Sequence, residues 1–457
     1  VNVGENLIGK DSFQEVDITG ITMPITKCNY LVRRAEDLAD VIREAFAIAR
    51  SGRPGPVLID VPKDVQTALC EYEAQPPVTA DAPTAAKELR VEQAAALINA
   101  ARRPFVYFGG GLVAAGAQSE MLALAEKLDA PIGCSLTGIS GIPTDHPRFL
   151  GMQGMHGHYA SSLAMHNADL IISLGVRFND RVTGNRARFA PGARIVQIDV
   201  DGSELSKNVP AAVGLRGDVK QTLQRLLPLV NEVKNPEWQE KLAKLRAEEA
   251  ESADHREGLT PRNAILTLNK FQGENTPVAT DVGQHQMWAA QNLSFKKPRR
   301  FASSGGLGTM GYGMGAAIGA AYGTGERSVL VTGDGSFGMC LNELATAVTY
   351  RVPVVILLMN NGVLGMVRQW QTLFYGKRYS NTILGRKTDF VALAKAFGAG
   401  GEAVDTLEGL EAAFGRAFAA EGPYLIDCAI EKDEFVLPML PPGGSVDDII
   451  VKVGDDR

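Results

Sequence analysis

A chain of 457 residues exceeds what one hydrophobic core usually organises, and 45% hydrophobic with 21% charged residues is the composition of a folded protein of two or three domains. The formal net charge of −6, with no dense Lys/Arg stripe interleaved with aromatics, argues against a nucleic-acid partner. The longest apolar runs, such as Val352 to Met359, fall far short of the roughly 20 residues of a bilayer span, and five scattered cysteines without a CxxC pair point to a reducing, cytoplasmic compartment.

The chain opens at Val1 with neither an initiator Met nor a signal-peptide pattern. Residues 1–75 hold an amphipathic helical stretch, Ala35 to Arg50, a turn at Ser51 to Gly55 and a short apolar strand, Pro56 to Val61. That is too little for a domain, so a domain remnant is expected. Gln75 to Lys87, with three prolines and no apolar period, reads as a linker. Residues 88–230 alternate helical segments with strands at Pro104 to Phe108, Leu170 to Val176 and Arg194 to Val200, the pattern of a parallel α/β sheet. Charge then rises through 231–258 (Glu237, Glu240, Lys241, Lys244, Arg246, Glu248, Glu249), which predicts a solvated connecting helix. Residues 259–457 alternate again, with Val329 to Thr332 and Val354 to Met359 the clearest strands. The fold class is therefore multi-domain α/β, with parallel sheets flanked by helices and an incomplete first domain.

The richest chemistry follows the last two strands. One runs into Gly333-Asp334-Gly335-Ser336, the other into Asn360-Asn361-Gly362. Phe337 to Tyr350 has the apolar spacing of a crossover helix, so the strands are expected to be parallel neighbours with Asp334 and Asn361 at one sheet edge. A carboxylate, an amide oxygen and a backbone carbonyl are hard ligands suited to Mg²⁺, which shares phosphate oxygens with the protein, and the glycines admit a diphosphate. Alone, Gly-Asp-Gly is an ordinary turn; paired with Asn-Asn after 24 intervening residues it matches a thiamine-diphosphate signature.

Thr280 to Trp288, Ser304 to Gly311 and Gly365 to Gln371 closely resemble acetolactate (acetohydroxyacid) synthase large subunits, and the resemblance runs from Ile8 to Gly443. It implies a thiamine-diphosphate-enzyme fold with Mg²⁺ held by Asp334, Asn361 and the Val363 carbonyl. The diphosphate side of the cofactor would be held by Val282, Gly283, Gln284, His285, Gly335, Ser336, Phe337 and Met366. Met310 matches the residue that props the cofactor into its bent form, and the Gly308 carbonyl the acceptor for its amino group. Met314-Gly315 departs from the family's Leu-Pro.

In the middle block, Gly-rich strand ends read equally as ordinary turns or as a close approach for a dinucleotide. The resemblance implies FAD bound by Gly109, Gly110, Gly111, Ser135, Leu136, Thr137, Gly154, Met155, His156, Gly175, Val176, Arg177, Asp180, Asp199 and Asp218, without a redox role. Asn179 and Val176 depart from the family's Asp and Ala. His146, His158, His166 and His255 read as surface or capping residues, and no metal-binding His cluster is expected.

The reaction implied is decarboxylation of pyruvate and transfer of its two-carbon unit to pyruvate or 2-oxobutyrate, opening valine and isoleucine synthesis. Arg181 matches the residue that receives the second acid's carboxylate, and Trp370 the one that favours 2-oxobutyrate; alone, Trp370 would read as a core aromatic. Phe13, Gln14 and Lys63 match residues that cross a dimer interface to the active-site mouth, implying a homodimer or tetramer, and the family implies a small regulatory subunit. Family members carry roughly another hundred residues upstream, with a glutamate that protonates the cofactor's pyrimidine ring, and no residue here matches it. The first reading is an enzyme whose upstream piece lies outside this sequence. The alternatives are a truncated, non-catalytic flavin-binding protein and a pyruvate oxidase-like or 2-oxo acid decarboxylase enzyme.

Overall fold

The computed structural model describes residues 2–76, 78, 84–385 and 387–454. Its strands are β1 Cys28–Leu31, β2 Val57–Asp60, β3 Pro104–Phe108, β4 Ile132–Cys134, β5 Phe149–Met152, β6 Leu170–Leu174, β7 Arg194–Asp199, β8 Val213–Arg216, β9 Val278–Thr280, β10 Phe301–Ala302, β11 Ser328–Gly333, β12 Val354–Asn360, β13 Gly400–Val404 and β14 Tyr424–Ala429. They form a two-stranded sheet, β1-β2, and two six-stranded sheets, β5-β4-β3-β6-β7-β8 and β10-β9-β11-β12-β14-β13. Neighbouring strands run parallel, as the βαβ pattern requires. β3, β6 and β11 are buried at every residue, which is why they read as unbroken apolar runs: helices cover both sheet faces.

The middle sheet reverses its direction of growth once, and the third does so first at β9 and again where β14 returns between β12 and β13. The chain lays β4 and β5 on one side of β3 and then returns to place β6 on the other; likewise β10 flanks β9 on one side and β11 on the other. Where successive connections depart in opposite directions, a crevice opens at the carboxyl ends of the two strands, the usual ligand position in open α/β sheets. The crevices fall at β3/β6 and at β9/β11.

The expected parallel pair of β11 and β12 is present, with Gly333 opposite Met359. Its connection is not the single helix expected over Phe337 to Tyr350. A short helical turn, Asp334–Phe337, is followed by a 3-10 turn, Leu341–Glu343, and a helix, Leu344–Thr349. The first turn is pinned to the strand ends by Ser336 Oγ donating to the Val282 carbonyl at 2.7 Å, and the chain leaves it through Gly338 in a new direction. The strand expected to reach Val176 ends at Leu174, because Gly175 turns the backbone into the left-handed region at φ 55°. β1 lacked a clear sequence signal and is paired residue for residue with β2. Of the expected linker, positions 77 and 79–83 lie outside the described residues.

The charged segment needs a correction. It forms the helix Pro236–Ser252, but Trp238, Leu242 and Leu245 are buried in a core cluster with β3, β6 and β7 residues. Trp238 also donates its indole N–H to the Pro104 carbonyl at 3.1 Å. An apolar stripe at i, i+4 and i+7 lay hidden among the charges. We expect Trp238→Ala to destabilise the protein by about 3–5 kcal/mol in urea unfolding; an unchanged midpoint would mean that the helix contributes nothing to the core.

Candidate active site

The carboxyl ends of β9, β11 and β12 bring together most of the residues expected to hold a metal diphosphate. Asp281, directly after β9, is fully buried, and its carboxylate accepts the N–H groups of Val282 at 2.8 Å, Gly311 at 2.8 Å and Gly313 at 3.3 Å. Burial raises its pKa, against those hydrogen bonds. The effect is a strut that fixes the Met310 loop beside β9. Met310 Cε and Leu364 Cδ2 lie 3.7 Å and 2.9 Å from where a side chain on Gly335 would begin, so a larger residue there would have to displace Leu364.

His285 is wedged between the two strand ends: a Cβ on Gly333 would lie 2.8 Å from its Nδ1. Its Nε2 is buried without a hydrogen-bond partner among the described residues. An unsatisfied polar nitrogen facing glycine-rich turns at a strand crevice fits an incoming anionic oxygen. Phe337, by contrast, sends its ring into the core against Phe390, leaving only its main chain at the crevice. Met366 packs at the edge of the core.

Backbone geometry orients the groups expected to hold the metal. Val363 and Ile383 form an isolated antiparallel bridge, flanked by Leu364 N–H to the Thr382 carbonyl at 2.8 Å and Leu384 N–H to the Gly362 carbonyl at 3.0 Å. Val363 is thus in a non-hydrogen-bonded pair, and its own N–H and C=O point away from Ile383. The N–H reaches Asn361 Oδ1 at 3.1 Å, so the Val363 carbonyl and the Asn361 amide oxygen lie on one side. Asp334, buried at the end of the adjacent strand, completes a set of hard oxygens that fits Mg²⁺.

A buried amide network joins this set to the substrate side. Gln284 Nε2 donates to Gln369 Oε1 at 3.0 Å and to the Glu434 carbonyl at 2.6 Å, and Gln369 exchanges hydrogen bonds with the Val436 main chain at 2.8 and 3.1 Å. A Cβ on Gly365 would fall on Gln284 Oε1, so a side chain at the start of the helix Gly365–Phe374 would have to displace Gln284 from this network. One residue beyond Gln369, the Trp370 ring lies 5.8 Å from the Arg181 guanidinium carbon. Arg181 comes from the middle sheet's side of the molecule, its side chain 60% exposed.

At the middle sheet, Gly109 to Gly111 and Gly175 to Arg177 meet at the β3/β6 crevice. Gly111 N–H donates to the Gly175 carbonyl at 3.0 Å, and a Cβ on Gly109 or Gly111 would strike that carbonyl. These glycines are explained by packing of the two turns on each other. Gly110 instead faces Thr137 Oγ1, Ser135 Oγ lies 3.2 Å from Thr137 Oγ1, and Thr137 and Leu136 abut Gly305 of the third block. Arg177 reaches toward Gly306. Met155 N–H donates to the Arg181 carbonyl at 2.7 Å, packing the Gly154 to His156 turn under Arg181. Val176 is buried against Gly109. Asp199, at the end of β7, accepts the Asp201 N–H at 2.9 Å, and burial raises its pKa. Asp218 and Asn179 are helix N-caps, bonded to Gln221 N–H at 2.9 Å and Val182 N–H at 3.2 Å, and Asp180 is exposed. Of the residues expected to hold a dinucleotide, Asp218 already serves as a structural cap.

Phe13, Gln14 and Lys63 are not brought to this site within the chain: among the described residues no hydrogen bond or ion pair joins their side chains to residues 281–371. Phe13 is 87% exposed and Gln14 has φ 62°. His158 departs from the surface reading; its Nδ1 accepts Met152 N–H at 3.0 Å and its Nε2 lies 3.2 Å from the Gln291 carbonyl, bridging β5 to the helix Gln284–Asn292. His255 does cap a helix end, 2.9 Å from the Ala250 carbonyl. Asp281 and Gln369 were not singled out from sequence, although both lie inside the segments that carry the resemblance; an acid between a strand and Gly283 was the available signal.

Residues 281–428 match the thiamine pyrophosphate enzyme C-terminal TPP binding domain, and residues 91–226 match the central domain of the same enzymes. The chain is similar to the probable acetolactate synthase large subunit of Methanocaldococcus jannaschii, 42% identical over 465 aligned positions that cover 98% of this chain and 78% of that protein. It is 40% identical to the acetolactate synthase isozyme 2 large subunit of Escherichia coli K12, covering 99% of this chain and 82% of the relative. With the acetolactate synthase large subunit of Corynebacterium glutamicum it shares 42% identity over 99% of this chain and 75% of the relative.

Burial sets a pH dependence. It lowers the pKa of His285 to about 3 and, with the nearby Arg181 charge second, that of His156 to about 4, from an ordinary 6.5. The fold keeps both rings neutral where the unfolded chain takes up protons, so their contribution is full above pH 6.5 and is lost as pH falls toward the folded values. Each ring supplies a slope of up to about 1.4 kcal/mol per pH unit in that window. Urea unfolding at about pH 7 and about pH 5 should show a smaller loss of stability for His285→Gln than for the parent; equal losses would mean that the folded ring takes a proton.

Proposed function

The chain belongs to the acetolactate synthase large-subunit family of thiamine-diphosphate enzymes, and on that premise we propose how its parts divide the reaction. Pyruvate is decarboxylated and its two-carbon unit is joined to a second 2-oxo acid, giving 2-acetolactate from pyruvate or 2-aceto-2-hydroxybutyrate from 2-oxobutyrate. Thiamine diphosphate, when bound, supplies the electron sink for loss of the carboxylate. Asp334, Asn361 and the Val363 carbonyl hold Mg²⁺, and Val282 to His285 with Gly335 to Phe337 receive the diphosphate. Met310, braced through Asp281, and the Gly308 carbonyl fix the ring end. Arg181 binds the carboxylate of the second acid in bidentate fashion, and the Trp370 face selects its alkyl group.

The observation that carries this reading is the meeting of Arg181 with Trp370 beside the metal-ligand loop, 5.8 Å apart although their helices follow strands of different sheets. A decarboxylase or oxidase releasing its product to water or an electron acceptor has no need of a second carboxylate receiver there. The family resemblance of the β3 and β6 turns supports FAD as a structural ligand, with 88–230 as its domain, 259–457 as the diphosphate domain and 1–75 as part of a further one. Exposed Ile21, Met23, Ile25 and Phe46 support a homodimer or tetramer in which a second copy covers the 1–75 face, and Phe13, Gln14 and Lys63 then act across the interface. Relatives named as large subunits support a small regulatory partner. No helix among the described residues is long and apolar enough to cross a membrane.

Asp334→Ala should abolish Mg²⁺-dependent thiamine-diphosphate binding in calorimetric titration while FAD retention is unchanged; undiminished thiamine-diphosphate affinity would remove Asp334 from the metal site. Trp370→Leu should erode the preference for 2-oxobutyrate over pyruvate by about 1–3 kcal/mol in competition assays, whereas an unaltered product ratio would leave Trp370 a packing residue.

A further inference from the structure

From the wall of the diphosphate crevice we infer that Thr382 is a ligand residue, its hydroxyl donating to an anionic oxygen of the Mg²⁺–diphosphate group; this rests on the cofactor reading above. Thr382 is 2% exposed, and its Oγ1 is buried with no hydrogen-bond partner among the described residues. Its direction is set by the antiparallel bridge at Val363 and Ile383. Side chains alternate along such a segment. Ile383 is 68% exposed, whereas Thr382 before it is buried and Leu384 after it is half-buried, and Leu364 is directly opposed to Thr382. Leu364 Cδ2 and Leu384 Cδ1 lie 2.9 Å and 3.7 Å from where a side chain on Gly335 would begin, so these leucines look onto the Gly333 to Ser336 turn.

A threonine fills one position of a wall otherwise made of two leucines. Valine would fill the same volume without burying an unsatisfied hydroxyl, which is costly to leave unpaired. A buried O–H in the wall of a crevice that receives phosphate oxygens gains a charge-assisted hydrogen bond when one of them comes within reach. The same segment holds the Val363 carbonyl in its outward direction, so the residue that fixes the metal loop also contributes a donor to what the metal carries.

The test compares the parent chain with Thr382→Val and Thr382→Ser, using Mg²⁺–thiamine diphosphate as the probe in isothermal titration calorimetry. Thr382→Val should bind roughly 10- to 100-fold more weakly, and Thr382→Ser should bind close to the parent. Without the probe, Thr382→Val should melt at the parent's temperature or above it, because an unpaired buried hydroxyl has been removed; with saturating probe the order should reverse. Equal affinity of the valine variant and the parent would overturn the inference, as would a valine variant that is less stable than the parent without the probe. A parent that binds no Mg²⁺–thiamine diphosphate would remove the cofactor reading itself, and this inference with it.

Discussion

The structure depends on the point at which the third sheet changes direction around β9. Because β10 lies on one side of β9 and β11 on the other, the turns that follow β9 and β11 splay apart and leave their backbone N–H groups facing a common crevice. Gly283, His285 and Asp334 are placed there by topology before any side-chain contact is considered. β11, buried at every residue, cannot shift its register without exposing its apolar face or burying polar groups, so the crevice is as rigid as the sheet.

Polar groups buried around that crevice divide into satisfied and unsatisfied ones, and the division follows function. Asp281 is fully satisfied by main-chain donors, and the Gln284–Gln369 pair by each other and the 434–436 main chain; they fix positions. His285 Nε2 and Thr382 Oγ1 are left without partners in the same neighbourhood. Orphaned buried atoms also occur elsewhere in the fold, at Tyr107, Glu120, Gln272 and Arg300 among others, so it is the position of His285 and Thr382 beside the crevice that gives theirs a use. The amide network also connects the metal loop to the Trp370 helix, so the diphosphate end and the Arg181 side share one set of supports.

Much of this was legible from sequence, for identifiable reasons. Val329 to Thr332 and Val354 to Met359 read as strands because a doubly covered parallel sheet makes its strands continuously apolar, and the Asp334/Asn361 pairing followed from the βαβ rule. The break at Gly338 was not legible, since it is imposed by Ser336 bonding to Val282, in the turn that follows β9. The charged helix was misread because its apolar stripe of Trp238, Leu242 and Leu245 is narrow against its charges. No spacing rule could have joined Arg181 to Trp370, and only the family resemblance placed them in one site. Thr382 carries no local signal at all: its importance lies in a partner it lacks, and that is a property of the assembled fold.

The central claim is that a divalent metal and a diphosphate share the carboxyl ends of β9, β11 and β12. The most direct measurement is a crystal structure of the chain grown with Mn²⁺ and thiamine diphosphate, with the metal located by its anomalous signal. One strong peak is expected, coordinated by Asp334, Asn361 and the Val363 carbonyl, with diphosphate density reaching His285. A peak elsewhere on the chain, or diphosphate density that leaves this crevice vacant, would contradict the central claim.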